Sequence, residues 1–183
     1  MNLKTFLPPK QTDVPVAEPP AVGDPAPPLL GETLTGPAVV AFLRHTGCPF
    51  AEWTAGALRA AAKDHPDIDW IAVSHASADA TERWSRDIGG TDGFRVVVDP
   101  ERAAYAAWGL GRSSLSHFAG RRSLGQVARL ARDGIRNRHP DGTRWQQAGT
   151  FAIASGDVTW RHLPEHAGDL PDLGAAALSV RAR

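Results

Sequence analysis

AVVAFLRHTGCP, residues 38–49, runs from an uninterrupted apolar segment through a short polar loop to a cysteine and a proline. The apolar run 38–43 is typical of a strand that is covered on both faces of a sheet. Proline is favoured in the first turn of a helix, so Pro49 predicts that a helix begins just after Cys48. This stretch therefore predicts a buried strand joined to a helix by a loop that contains the cysteine.

Strands and helices alternate on the carboxyl side of this stretch. The pattern predicts helices at 52–63, 78–88, 101–108, 121–138 and 171–180, and further strands at 68–73, 94–98, 150–154 and 158–162. This order predicts an α/β sandwich with a central mixed sheet, parallel at first and ending in an antiparallel hairpin. The helix at 121–138 is an insertion after the third strand-helix unit. A doubly wound nucleotide-binding fold is disfavoured, because no Gly-x-Gly-x-x-Gly turn follows a predicted strand.

The amino-terminal part of the chain differs from the rest in composition. Eight of the fifteen prolines lie within the first 28 residues, and each proline removes a backbone donor and restricts the residue before it. We interpret residues 1–22 as an extended arm, either mobile or strapped across a single domain that spans residues 23–183. The first twenty or so residues are expected to contribute little to the stability of the core.

Composition excludes several classes of protein. The 183 residues include 20 Lys and Arg and 20 Asp and Glu, and the resulting formal net charge of +0 argues against a nucleic-acid partner. No apolar run is long enough for a membrane helix, and the amino terminus does not match a secretory signal. Cys48 is the single cysteine, which excludes an internal disulfide and a multi-cysteine zinc site. We therefore expect a cytoplasmic protein without membrane, metal or nucleic-acid partners.

Cys48 is the strongest candidate for chemistry in the chain. Ligands of open α/β sheets gather at the carboxyl ends of strands, and a helix N-terminus stabilises an anion such as a thiolate. Arg44 and His45 add positive charge to the same loop. We accordingly expect a thiol that solvent reaches and that ionises readily. The alternative is a buried cysteine that acts as a small hydrophobic residue.

Other candidates are weaker. Ser74 and His75 end a predicted strand, and Ser114, Ser116 and His117 occupy a loop, but the Gly-x-Ser-x-Gly turn of serine hydrolases is absent. The histidines lack metal-binding spacing. An excess of arginine between residues 112 and 144 is typical of a solvated face, with binding of an anionic ligand or partner as the alternative.

The loop at 43–50 resembles the active-site loop of thioredoxin-fold, peroxiredoxin-like proteins of the alkyl hydroperoxide reductase/thiol-specific antioxidant family. Further stretches agree in type and order, and the resemblance covers roughly residues 22 to 180. These stretches are 22–27, 71–75, 96–102, 105–110 and 145–151. The resemblance implies a thioredoxin-like fold.

The resemblance also implies an activity: a thiol oxidoreductase that reduces a peroxide or disulfide through one cysteine. In this interpretation no cofactor is bound, and an external thiol such as glutathione, or a small redox protein, regenerates the thiol. The expected substrate is a small molecule, and a homodimer is left open. Cys48, His45 and Arg44 would be catalytic, and the substrate-binding residues would be Thr46, Gly47, Pro49, Trp145 and Thr150.

The sequence departs from the family pattern at several positions. Ala51 replaces the second cysteine of thioredoxins, so an intramolecular dithiol cycle is excluded. His45 and Ala41 stand where peroxiredoxins have a threonine and a proline. Gly149 and Thr150, rather than the proline usual in this fold, directly precede Phe151. These departures leave two alternatives open: a non-redox enzyme of a specialised biosynthetic pathway built on the same scaffold, and a non-catalytic binding module.

Overall fold

Five strands form one mixed sheet in the computed structural model, which describes residues 15–113, 129–132, 134–135 and 141–182. The strands are β1 Ala38–Phe42, β2 Asp69–Ser74, β3 Arg95–Val98, β4 Gly149–Ala154 and β5 Asp157–His162. Their order in the sheet is β3-β2-β1-β4-β5, in which β1 pairs in parallel with β2 and antiparallel with β4. The predicted mixed sheet is thereby confirmed, with its parallel strands first in the chain and an antiparallel hairpin last.

Four helices are described along their whole length. They are α1 Pro49–Asp64, α2 Ala78–Asp87, α3 Ala103–Ala107 and α4 Leu173–Arg181. The predicted inserted helix at 121–138 lies largely outside the described residues, which include a helical turn at 129–132. No helix in the described part of the chain is both long and apolar enough to cross a membrane.

The ends of these helices follow local sequence signals. Pro49 occupies the first turn of α1, where its missing N–H costs nothing. Ser77 caps α2 and Asp172 caps α4 through side-chain oxygens that accept backbone N–H groups. The two carboxylate oxygens of Asp99 accept three N–H groups at the start of α3, from residues 103 to 105.

The sheet separates two apolar clusters, because successive side chains of a strand point to opposite faces. Val39, Ala41 and Leu43 face a cluster shared with α1, α2 and α4. Val40 and Phe42 face the second cluster. The large side chains of this second cluster include Tyr105, Trp108 and Phe151. Strand β1 is therefore buried on both faces, and its carboxyl end opens into the loop that carries Cys48.

Residues 15–26 form a strap along the domain. Ala17 N–H donates to the Ala106 carbonyl, and residues 23–26 pair with residues 156–158 at the edge of β5. The guanidinium of Arg161 donates to the carbonyls of Pro19 and Pro20 at 3.0 and 2.8 Å. Of the two alternatives for the arm, its described part, residues 15–22, therefore matches the strapped one. The contribution of this part to stability stays a prediction, and residues 1–14 lie outside the described residues.

Candidate functional site

The loop between β1 and α1 is a tight turn that closes at the cysteine. The N–H of Cys48 donates to the carbonyl of His45 at 3.0 Å, and the N–H of Glu52 then donates to the carbonyl of Cys48 at 3.2 Å. Cys48 is the N-cap residue of α1 with an extended backbone, and its side chain caps no backbone N–H. The cysteine therefore lies at the carboxyl end of a parallel strand and at the positive end of a helix.

The Cys48 side chain is only 3% exposed. It belongs to the apolar cluster on the α1 face of the sheet, together with Leu43, Phe50 and Ala51. The expectation of a thiol that solvent reaches directly is thus wrong for this conformation. The turn at 45–48 folds the cysteine toward the sheet, and the first turn of α1 packs beside it. The structure thus holds the free thiol in a buried position.

His45 lies beside the cysteine and is also 3% exposed. Its Nδ1 is buried and has no hydrogen-bond partner within the described part of the chain. Burial, followed by the positive charges of Arg44 and Arg144 and by His75, lowers the pKa of His45 well below its usual value of 6.5. His45 is therefore a neutral imidazole at pH 7.

Two arginines supply the charge around this loop. Burial lowers the pKa of Arg44, the charge of Cys48 raises it, and the neighbouring Arg144 lowers it. An arginine keeps its charge at any physiological pH. Arg44 is therefore a buried cation in the loop that carries Cys48, while Arg144 adds positive potential from another loop.

Two side chains from other elements hold the carbonyls where β1 ends. The hydroxyl of Tyr105 lies 2.6 and 2.8 Å from the carbonyl oxygens of Leu43 and Val73, which share its single proton. The Nε2 of His75 lies 2.6 Å from the carbonyl oxygen of Arg44. Burial raises the pKa of Tyr105 well above 10, so its hydroxyl remains a donor. Sequence reasoning missed the position of both side chains, although His75 directly follows a predicted strand at the site edge.

A separate cavity lies on the β4 side of α1. Its polar lining includes Arg44, Thr54, Thr150 and His162, and the rest is mostly apolar, with Ala51 in its wall. The Nε2 of His162 is 3.3 Å from the Asp169 carbonyl oxygen and 3.6 Å from its carboxylate. Sequence reasoning did not single out Thr54, and it considered His162 only among histidines without metal-binding spacing; their elements are far apart in the chain.

The predicted site residues fall into two groups and one outlier. Thr46, Gly47 and Pro49 are buried in the turn with Cys48, and none of them lines the cavity. Arg44 and Thr150 do line the cavity. The ring of Trp145 instead stacks under Arg112, whose guanidinium carbon is 5.1 Å from the ring centre.

Ser74 and His75 do not form a hydrolase pair. The Ser74 hydroxyl is hydrogen-bonded to that of Thr81 at 3.0 Å, and His75 contacts the Arg44 carbonyl. Within the described ranges, no three His, Cys, Asp or Glu side chains are grouped as metal ligands would be.

Together, the mixed sheet and a cysteine at the first helix N-terminus define a thioredoxin-fold, peroxiredoxin-like protein. The family model described as AhpC/TSA antioxidant enzyme matches residues 57–166, more than half of the chain. The chain belongs to this family of peroxiredoxin-like and thioredoxin-like oxidoreductases. The matched segment begins after Cys48, so the match itself does not include the cysteine loop.

Solved structures of low sequence identity share the fold. A peroxiredoxin-like protein from Aquifex aeolicus is 15% identical with a TM-score of 0.65, covering 91% of this chain and 90% of that one. A thiol peroxidase from Chromobacterium violaceum is 12% identical with a TM-score of 0.61, covering 92% and 90%. The bacterioferritin comigratory protein of Xanthomonas campestris is 14% identical with a TM-score of 0.52, covering 82% and 79%. No curated protein sequence matches the chain.

Proposed function

We propose that this protein is a one-cysteine thiol oxidoreductase in which Cys48 reduces a small peroxide or disulfide. The observation that carries the proposal is the position of Cys48 at the N-terminus of α1, next to the charge of Arg44. A helix N-terminus and a neighbouring cation both favour the thiolate, which is the nucleophilic form of cysteine. Family membership supports the same class of chemistry.

The proposed cycle balances with an external thiol as the reductant. The Cys48 thiolate attacks one peroxide oxygen and the O–O bond breaks. The leaving hydroxide or alkoxide takes a proton to become water or an alcohol. The resulting sulfenic acid reacts with one external thiol, which forms a mixed disulfide and releases water. A second external thiol then attacks the mixed disulfide, restoring the Cys48 thiol and leaving the donor as its own disulfide.

The remaining predicted site residues have supporting roles in this proposal. Arg44 stabilises the thiolate, and the neutral imidazole of His45 exchanges protons with the substrate or the leaving group. The backbone N–H groups of Thr46 and Gly47 orient the substrate once the loop opens, whereas Pro49 has no N–H and contributes only its ring. Thr150 lines the neighbouring cavity and is the proposed contact for the rest of the substrate. Glutathione or a small redox protein is the proposed donor, and a homodimer remains a prediction.

Steady-state turnover of hydrogen peroxide with glutathione tests the proposal. Cys48→Ser should reduce turnover to the uncatalysed background, because a serine hydroxyl does not cycle through a sulfenic acid. His45→Ala should lower the rate without abolishing it. Leu178→Ala serves as the control, since that side chain is 68% exposed on α4. Turnover that persists in Cys48→Ser would contradict the proposal.

A second candidate is a small-molecule site that does not use the thiol. Cys48 is buried and is not part of the cavity lined by Arg44, Thr150 and His162, which favours this alternative. It corresponds to a non-redox enzyme on the same scaffold, or to a binding module without catalysis. In that case Cys48→Ser retains activity or binding toward the natural ligand, while Thr150→Val or His162→Asn loses it.

A further inference from the structure

The backbone carbonyls of Leu43 and Arg44 lie directly beyond the last residue of β1. Buried carbonyls need donors, because an unsatisfied polar group costs about 1–3 kcal/mol. The Leu43 carbonyl accepts the hydroxyl of Tyr105, and the Arg44 carbonyl faces Nε2 of His75. The backbone that leads into the cysteine turn is thus held by side chains from outside the turn.

The contact fixes the protonation pattern of the His75 ring. A carbonyl oxygen only accepts hydrogen bonds, so Nε2 of His75 must carry the proton that it donates across 2.6 Å. In the neutral ring, Nδ1 is then the unprotonated nitrogen. The side chain is 5% exposed, and its ring lies edge-on to that of Tyr105, with the ring centres 5.7 Å apart. The Arg44 carbonyl and the ring of Tyr105 therefore both restrict the orientation of the His75 ring.

A second loop, which contains Asp141 and Gly142, packs against the Nδ1 edge of the His75 ring. A Cβ atom at Gly142 would lie 2.5 Å from Nδ1 of His75, and Gly142 has φ +74. Only glycine fits this approach without strain. The loop is also anchored through Asp141, whose carboxylate accepts the hydroxyl and the N–H of Ser77 at 3.0 and 3.3 Å. This loop carries Arg144, whose charge acts on Arg44 and His45.

We propose that His75 is a positioning residue that joins the Cys48 loop to the loop carrying Arg144. It donates to the Arg44 carbonyl on one side and packs against Gly142 on the other. The inference deepens the proposed function, on which it rests for the role of Cys48. His75 touches no reacting atom in this account. It fixes the backbone that places Arg44, His45 and the start of α1 around the thiol.

Hydrogen exchange and alkylation of the thiol test this role without peroxide. Exchange is followed at the Cys48 amide, which is bonded to His45, with the Phe151 amide in β4 as the reference for global opening. Alkylation of Cys48 by iodoacetamide is followed across pH. His75→Ala should accelerate exchange of the Cys48 amide about tenfold relative to the reference, as expected for one lost hydrogen bond. The pH profile of alkylation should move at the same time.

Matched variants separate positioning from general destabilisation. His75→Gln places an amide N–H₂ near the position of Nε2 and should restore both readouts. Gly142→Ala, at an exposed position, should resemble His75→Ala because its methyl group displaces the ring, and it keeps the test available if His75→Ala does not fold. Ser85→Ala is the control: this half-buried residue of α2 loses its hydrogen bond to the Thr81 carbonyl, and the Cys48 readouts should not move.

The proposal is overturned if His75→Ala and Gly142→Ala leave relative exchange and the alkylation profile unchanged. It is equally overturned if His75→Gln behaves no better than His75→Ala, because a donor at this position would then be unimportant. Neither readout requires oxidation chemistry. A wild-type protein without peroxide turnover would therefore contradict the proposed function alone, and the exchange data would still decide the role of His75.

Discussion

His45 connects the burial of the site to a measurable pH dependence of stability. Its pKa in the folded protein is well below 6.5, because burial and the charges of Arg44 and Arg144 oppose a proton on the ring. The unfolded chain binds that proton near pH 6.5. As the pH falls below this value, the unfolded state gains a proton that the folded state does not, and the folded protein loses stability.

We predict that His45 makes the free energy of unfolding independent of pH above pH 6.5. Below pH 6.5, His45 makes the free energy of unfolding decrease as the pH falls. The slope has an upper limit of about 1.4 kcal/mol per pH unit for each such histidine. His75 contributes with the same sign, because burial also lowers its pKa. Urea unfolding between pH 7.5 and 5 should give a shallower slope for His45→Asn and a still shallower one for His45→Asn/His75→Gln. A full slope in the double variant would refute this assignment.

At the scale of secondary-structure elements, the strap of residues 15–26 covers an edge that would otherwise be open. Residues 23–26 pair with Gly156 and the first residues of β5. The guanidinium of Arg161 donates hydrogen bonds to the carbonyls of Pro19 and Pro20, earlier in the strap. An uncovered strand edge exposes unpaired N–H and C=O groups and favours association. Gly109, with φ +74, lies directly against Pro19, and a Cβ at that position would overlap the proline.

Removal of the strap should therefore destabilise the protein. We predict that deletion of residues 1–22 lowers the free energy of unfolding relative to deletion of residues 1–14, since only the longer deletion removes the contacts of residues 15–22 with Ala106 and Arg161, while both keep the pairing of residues 23–26. Arg161→Gln should cost about 1 kcal/mol through the two lost hydrogen bonds. Urea unfolding of the two deletions, of Arg161→Gln and of the wild type measures both effects. Equal stability of the two deletions would restore the original expectation that the arm is dispensable.

Most elements were predictable because their signals are local. The apolar run 38–43 and the residues Ser155 and Gly156, both with positive φ in the hairpin turn, identify β1, β4 and β5 directly. Pro49 predicted that α1 begins just after Cys48, and the helix does begin at Pro49, three residues before the alanine-rich stretch that starts at residue 52. The start of α4 lies at Leu173, since Asp172 acts as the cap.

The inner structure of the site was not predictable in the same way. The contact of Tyr105 with Leu43 joins residues 62 positions apart, and that of His75 with Arg44 joins residues 31 apart. No periodicity encodes such contacts. The sequence placed Cys48 at the strand end, but its burial depends on how Phe50 and neighbouring apolar side chains pack. Local patterns thus predict where a loop begins, and tertiary packing decides which way its side chains point.

At the scale of the whole molecule, the apolar cluster on each face of the sheet contains a buried tryptophan. Trp70 lies in the α1 cluster at 1% exposure and Trp108 in the opposite cluster at 0%. Trp70 Nε1 donates to the carbonyl of His65 at 3.0 Å. Trp108 Nε1 is buried without a hydrogen-bond partner among the described residues. The two rings are therefore matched in burial and differ in hydrogen bonding.

This difference gives a paired prediction for stability. Phenylalanine at either position removes a similar volume, but Trp70→Phe also breaks a hydrogen bond, while Trp108→Phe removes an unsatisfied donor. We predict that Trp70→Phe lowers the free energy of unfolding by about 1 kcal/mol more than Trp108→Phe does. Urea denaturation of the two variants measures the difference. A cost for Trp108→Phe equal to or greater than that for Trp70→Phe would contradict the account of the core.

At this scale the proposed redox role of Cys48 is directly measurable, because Cys48 is the single cysteine. The decisive measurement is intact-protein mass spectrometry of native wild type and Cys48→Ser after hydrogen peroxide and a sulfenic-acid trap. We predict one trapped adduct on the wild type and none on Cys48→Ser. Glutathione should convert the Cys48 sulfenic acid to one mixed disulfide. Excess peroxide should oxidise the sulfenic acid further to the sulfinic acid. A native wild type that forms no adduct, while the urea-unfolded chain does, would show that Cys48 is a buried structural residue.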